Sequence, residues 1–184
     1  MEEIETERES MEYDVVIVGA GPAGLSSAIK LKQLCDEASI EISICVVEKG
    51  SEVGAHILSG NVFDPKALNE LIPNWEEAGA PLNTPVKNDS VRYFINDSTS
   101  LPIPTFLATT FKNHGNYIMS LGNFCRWLVE QAESLEIDVF PGFTASHLIY
   151  EDDVVVGIST GDMGIDANGD KKPSYEPGID LRAK

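Results

Sequence analysis

The segment Asp14–Lys32, DVVIVGAGPAGLSSAIKLK, constrains the fold more than any other. A short unbroken apolar run ends at a glycine, the pattern of a strand buried on both faces of a parallel sheet. Gly19, Gly21 and Gly24 then make the spacing G-x-G-x-x-G, and Pro22 stands where a first helical turn tolerates a missing N–H. The helix expected from there runs to about Asp36, and IEISICVVEK supplies a second buried strand, completing a β-α-β unit. In that context the first glycine permits the tight turn out of the strand. The second lets a pyrophosphate approach the backbone, and the third lets helix and strand pack. The helix N-terminus adds unpaired N–H groups and a partial positive charge.

Glu48 closes the second strand, 24 positions after Gly24. A carboxylate there accepts hydrogen bonds from an adenosine ribose and repels a 2′-phosphate, which favours FAD or NAD over NADP. After Glu48 the chain leaves the Rossmann alternation and returns late, with a helical face over Ser120–Leu135 and a hairpin. That interrupted layout fits a flavoprotein whose first β-α-β unit holds the ADP half. The expected fold is α/β: a Rossmann-like, three-layer FAD-binding half with an antiparallel β insertion, incomplete at the C-terminus.

Between these parts, DPKALNELI reads as a short helix with Asp64 as cap and Pro65 in its first turn. Pro73, Gly79, Pro81 and Pro85 mark a loop, and SVRYFI reads as a strand. IDVFPGFTASHLIYEDDVVVGIST predicts a strand followed by a hairpin closed near Asp152–Asp153, and Asn168-Gly169 is a second hairpin turn. The chain stops at GIDLRAK inside an oncoming strand, which reads as a fragment with an unpaired final edge. Residues 1–12 read as a disordered acidic tail, and residues 13–184 as the N-terminal portion of one FAD-binding domain with an insertion at 86–119.

Formal net charge is −17, from 30 acidic and 13 basic residues, which argues against a phosphate-binding nucleic-acid surface. The first residues lack an apolar stretch and are acidic, unlike a secretory signal or a mitochondrial transit peptide. No run of about 18 apolar residues predicts a spanning helix. Cys35, Cys45 and Cys125 lie too far apart for metal or iron–sulfur spacing and read as reduced thiols. No metal site and no catalytic acid, base or nucleophile is expected. Trp127 and Phe124 read as core, His147 as structural, and the acidic run at 151–153 as a solvated turn.

Several segments together resemble the electron-transfer flavoprotein–ubiquinone oxidoreductase family: DVVIVGAGPAGLSSAIKLKQL, VVEKGSEVGAHILSGNVFDP, GAPLNTPV, NHGNYIMSLGNFCRWLVEQAE and VFPGFTA with GISTGDMGI. The resemblance covers nearly all of Tyr13–Lys184 and the first third of such an enzyme. It implies a monotopic membrane oxidoreductase that passes electrons from electron-transfer flavoprotein to ubiquinone through FAD and one [4Fe–4S] cluster. The cluster would lie in the part beyond Lys184. Carried over by position, Gly19, Ala20, Gly21, Pro22, Ala23 and Gly24 would hold the FAD pyrophosphate and Glu48 the adenosine ribose, with Lys49 also among the cofactor-binding residues. Gly54, Ala55 and His56 would lie along the ribityl side, and Ala145 near adenine. Ser120 stands where relatives often carry an arginine, which would weaken the site somewhat. The family also implies the cytoplasmic face of a bacterial inner membrane, or a mitochondrial inner membrane, as location.

LPIPTFLATTF, residues 101–111, carries no charge, and Pro102 and Pro104 forbid an ordinary helix through its first half. Read alone it is an extended segment packed on the core; the resemblance makes it a membrane-facing one, too short to span. Two further readings stand beside the first: a related geranylgeranyl-reductase-like flavoprotein, or a nucleotide-binding fragment without turnover.

Overall fold

The computed structural model describes residues 8–58, 60–104, 106, 111–166 and 168–184. In chain order the elements begin with β1 (Ser10–Tyr13), β2 (Val15–Val18), α1 (Pro22–Glu37), β3 (Ile44–Glu48), β4 (Asn61–Phe63), α2 (Lys66–Leu71), β5 (Val91–Asn96) and β6 (Thr99–Ile103). They continue with β7 (Tyr117–Met119), α3 (Leu121–Glu133), β8 (Asp138–Pro141), β9 (Ala145–Glu151), β10 (Val154–Thr160), β11 (Met163–Ile165), β12 (Lys171–Glu176) and β13 (Asp180–Ala183). The chain divides into two compact units, residues 1–57 with 125–184, and residues 58–124.

The first unit is built on a parallel sheet in the order β2-β3-β8. Val15–Val18 pair with Ile44–Val47, and Cys45–Glu48 pair with Asp138–Pro141. The apolar run of β3 is the most deeply buried, as expected of the middle strand: Ile44, Cys45, Val46 and Val47 are at most 2% exposed. α1 lays Leu25, Ala28 and Ile29 inward, three side chains of one helical face. A second sheet runs β1-β13-β10-β9. Tyr13, Cys45, Val47, Ile158 and Leu181 form a core cluster, with Val16, Phe140, Phe143, Ala145 and Ile179 packed against it. Each large aliphatic side chain buried there contributes about 1.5–3 kcal/mol. The β9–β10 hairpin closes on Asp152 and Asp153, both at positive φ (46° and 64°), a turn that acidic residues tolerate.

In the second unit β4 pairs antiparallel with β7, and β5 with β6. Phe63 packs on Phe124, and Trp75 meets Tyr117 edge-on while donating its indole N–H to Asn69 Oδ1 at 2.6 Å. Asp64 Oδ1 accepts the Lys66 N–H at 2.9 Å, but α2 begins at Lys66 with Pro65 as its N-cap and no side-chain cap bond, so Asp64, the expected cap, stands one position before it. Ser120 Oγ accepts the Asn123 N–H at 3.4 Å, so Ser120 starts α3.

Four further expectations change. The acidic segment does not stay a tail through residue 12: β1 pairs in parallel with β13, and Arg8 bonds to Asp162 Oδ1 at 2.9 Å. Backbone pairing outweighs the charge there; residues 1–7 lie outside the described residues. β13 is not an unpaired edge either, because β1 flanks it on one side and β10 on the other. The insertion is wider than 86–119, since residues 58–124 form one unit. Finally, the first residues of LPIPTFLATTF are a strand of the β5–β6 hairpin rather than a segment packed on a core. Thr105 and Leu107–Thr110 lie outside the described residues. Among the described residues no helix is long and apolar enough to cross a membrane.

Candidate functional site

The site forms where the three parallel strands end. β2 runs out at Val18, and Gly19 turns the chain at φ +104°, a conformation that favours glycine. The Gly19 N–H donates to the Val47 carbonyl at 2.7 Å, which stitches the start of the loop to β3. Gly21 is the residue before α1, with φ −79° and ψ 178°, and its carbonyl accepts the Leu25 N–H at 3.0 Å. Pro22 opens the helix as expected. The first turn of α1 carries no acidic side chain, so nothing from the helix itself neutralises its N-terminal N–H groups.

The three glycines answer three different demands. A Cβ on Gly24 would collide with the Gly19 carbonyl oxygen and lie 3.3 Å from Ile17 Cγ2, so the third glycine permits the helix to pack on the strand. A Cβ on Gly21 would meet nothing within 4 Å. Open space, a bare helix N-terminus and a glycine backbone fit a diphosphate, whose charge needs N–H donors at close range.

Glu48, at the end of β3, is half-buried and bound on both oxygens. Oε2 accepts the Ala20 N–H at 3.0 Å and Oε1 accepts the Gly50 N–H at 2.8 Å. Gly50 was not singled out from the sequence. It is buried, and its carbonyl accepts the Gly142 N–H at 2.8 Å, which joins the end of β8 to the same corner. The only sequence signal for it was a glycine two residues past the acidic strand end.

The 50–57 loop follows. Gly54 has φ +86°, Val53 is buried, and the Arg126 guanidinium on α3 donates to the Val53 carbonyl at 3.2 Å. His56 and Ala55 are exposed, and His56 Nδ1 lies 3.5 Å from where a Gly50 Cβ would be. The structure therefore brings Gly19–Gly24, Glu48 and His56 to one corner through Gly50. Lys49 is exposed beside them. Ala145 lies on β9, paired with Thr160 and packed against the core cluster. Cys125 on α3 is fully buried; burial, then the charge of Glu48, pushes its thiol up to about 11. Among the described residues no cluster of His, Cys, Asp and Glu suits a metal ion.

A glycine-lined helix N-terminus, with an acidic residue at the next strand end, defines a Rossmann-type dinucleotide-binding unit. The NAD(P)-binding Rossmann-like domain family matches residues 17–94. Solved structures share the fold. A geranylgeranyl bacteriochlorophyll reductase-like protein from Thermoplasma acidophilum aligns with a TM-score of 0.64 at 21% identity, over 95% of this chain and 38% of its own. The p-nitrophenol 4-monooxygenase from Pseudomonas putida aligns at 0.57 and 18%, over 96% and 40%.

Within that class, the chain is a homologue of the electron transfer flavoprotein-ubiquinone oxidoreductases, as the sequence resemblance implied. It is 60% identical to the protein of that name from Pseudomonas aeruginosa over 97% of this chain and 33% of the relative. It is 50% identical to the mitochondrial protein of that name from Oryza sativa subsp. japonica over 96% and 30%. The chain thus spans about a third of the length of these curated relatives.

Proposed function

We propose that this chain is the FAD-binding part of an electron-transfer flavoprotein–ubiquinone oxidoreductase. The observation that carries the reading is the Glu48 corner: a strand-end carboxylate fixed beside an open glycine loop. A carboxylate there accepts ribose hydroxyls and repels a 2′-phosphate, so FAD fits and NADP does not. Gly19, Ala20, Gly21, Pro22, Ala23 and Gly24 would hold the pyrophosphate, and Gly54, Ala55 and His56 the ribityl side. FAD supplies the redox chemistry when bound. The chain's own residues bind it, orient it and hold the phosphate charge.

The names of the relatives support electron-transfer flavoprotein and ubiquinone as partners of the whole enzyme. A [4Fe–4S] cluster outside residues 1–184 is what the family resemblance implies. The exposed apolar residues of the β5–β6 hairpin support attachment to one membrane leaflet. Tyr93, Phe94, Ile95 and Leu101 of the hairpin, and Phe106 beyond it in sequence, are each more than half exposed. On this reading the whole enzyme lies on a bacterial inner membrane, at its cytoplasmic face, or on a mitochondrial inner membrane; the name of the Oryza sativa relative supports a mitochondrial location for that relative. Residues 1–184 alone hold FAD weakly and transfer no electrons. A cofactor held at its ADP end keeps most of the cost of association while losing contacts at the ring.

A second reading, a geranylgeranyl-reductase-like flavoprotein, draws on the Thermoplasma acidophilum fold match. Both readings require FAD; the acceptor separates them. The polypeptide corresponding to the whole length of the relatives, reduced by electron-transfer flavoprotein, is expected to pass electrons to a ubiquinone analogue. Reduction of a geranylgeranyl double bond without quinone turnover would favour the second reading.

A further inference from the structure

We propose that Glu48 acts first as a positioning residue, clamping the phosphate loop to the 50–57 loop, and that Gly50 is the second half of the clamp. This rests on reading the corner as a FAD site. The two carboxylate oxygens serve different stretches of backbone: Oε2 takes the Ala20 N–H and Oε1 the Gly50 N–H. Ala20 is 1% exposed, so water is a poor substitute partner for its N–H. Gly50 passes the restraint on, because its carbonyl takes the Gly142 N–H. The ends of β2, β3 and β8 are thereby held by one side chain and the backbone of one residue.

The clamp also sets what the ribose meets. Each carboxylate oxygen has two acceptor positions, so one on each remains after the two backbone bonds. Those suffice for the two hydroxyls of a ribose, which encounter a carboxylate already fixed. The clamp needs two acceptors. A glutamine offers one acceptor oxygen and one NH₂, so whichever way its amide faces, a donor meets a donor at Ala20 or at Gly50. A side chain at Gly50 would in turn be crowded. A Cβ would stand 3.2 Å from Glu48 Oε1, 3.0 Å from the Glu52 carbonyl oxygen and 3.5 Å from His56 Nδ1. An alanine would therefore press on the Glu52 carbonyl and the Glu48 carboxylate together, and touch the histidine at ordinary contact distance.

The test uses the chain itself and its Glu48→Gln and Gly50→Ala variants. Amide proton resonances are followed through an acid titration, and affinity is measured for FAD and for its 2′,3′-dideoxyadenosine analogue. In the wild-type chain the Ala20 and Gly50 amides are expected to shift together with one midpoint; in Glu48→Gln neither shifts. Glu48→Gln is expected to weaken FAD by about tenfold, the scale of a lost bond to a charged group, and the dideoxy analogue by a similar factor. Gly50→Ala weakens both while retaining the circular dichroism spectrum. Independent titration of the two amides, or a Glu48→Gln loss confined to FAD with the dideoxy analogue unaffected, would overturn the clamp. If the wild type bound neither ligand, the FAD reading would fail, and the amide titration would still decide the clamp.

Discussion

The Tyr13 hydroxyl donates to Asp138 Oδ2 at 2.8 Å, joining β1 of the mixed four-stranded sheet to β8 of the parallel sheet across 125 positions of sequence. Tyr13 is 6% exposed and its ring meets Phe140 edge-on. Burial first, then the bond to Asp138, raises its pKa far above the ordinary tyrosine value of about 10. Tyr13→Phe is expected to lower stability by about 1–2 kcal/mol in urea unfolding, since a carboxylate loses its partner. Because the folded-state pKa is raised, this contribution is complete below about pH 10 and declines as pH rises beyond it. In the variant, stability should fall less steeply over that alkaline range; an equal slope in both proteins would remove the assignment.

Two glycines of the phosphate loop are expected to respond in opposite ways. Gly24→Ala drives a Cβ into the Gly19 carbonyl and should cost about 1–3 kcal/mol of stability, as overpacking does. Gly21→Ala meets only open space, in a backbone conformation any residue adopts, and should change stability by less than about 0.5 kcal/mol. It should nevertheless abolish FAD binding, because the methyl group stands where the phosphates go. Thermal melts beside flavin titrations check both. A Gly21→Ala chain that binds FAD normally would place the ligand elsewhere.

The three thiols separate by burial. Cys45 is pushed up to about 12 by burial and then by Asp138, and Cys125 to about 11 by burial and then by Glu48. Thiolates, not thiols, are the nucleophiles. In a disulfide-exchange assay at pH 8, the partly exposed Cys35 should react in the native chain, and Cys45 and Cys125 only on unfolding. Both raised thiols favour the folded state fully below about pH 8.5 and progressively less above it. Rapid native modification of all three would contradict the packing around β3.

The hairpin prediction concerns lipid. Phe94 and Phe106 are 68% and 72% exposed, an arrangement uncommon on a surface that faces only water. Replacing both with Asp should reduce co-sedimentation of the chain with liposomes several-fold and leave its melting temperature within a few degrees. Unchanged sedimentation, or a collapse in melting temperature, would return the hairpin to an internal role.

Much of the first unit is legible in the sequence because local signals agree there. The unbroken apolar run of β2 and β3, the three glycine positions and Pro22 all point to one β-α-β unit. Asp152–Asp153 and Asn168-Gly169 mark turns that need positive φ, and the structure has Asp152, Asp153 and Gly169 there. The ends of the chain are not legible in this way. Pairing of Ser10–Tyr13 with Asp180–Ala183 spans about the whole length, and no local pattern encodes so distant a partner. An acidic segment looks solvated until a strand 170 positions later captures it. Gly50 escaped notice for a related reason: its demand comes from Glu48, Glu52 and His56 folding over it, which residue spacing does not reveal. Ser120, by contrast, opens α3 where the sequence puts the start of that helix.

The most direct measurement is an isothermal titration of the chain with FAD, repeated in the presence of ADP and of NADP. The account predicts saturable one-to-one binding, weak enough for flavin to be lost on gel filtration. ADP should displace FAD because both occupy the Gly19–Gly24 loop and Glu48, and NADP should not. Absence of any binding heat, or displacement by NADP in preference to ADP, would contradict a FAD site built on Glu48.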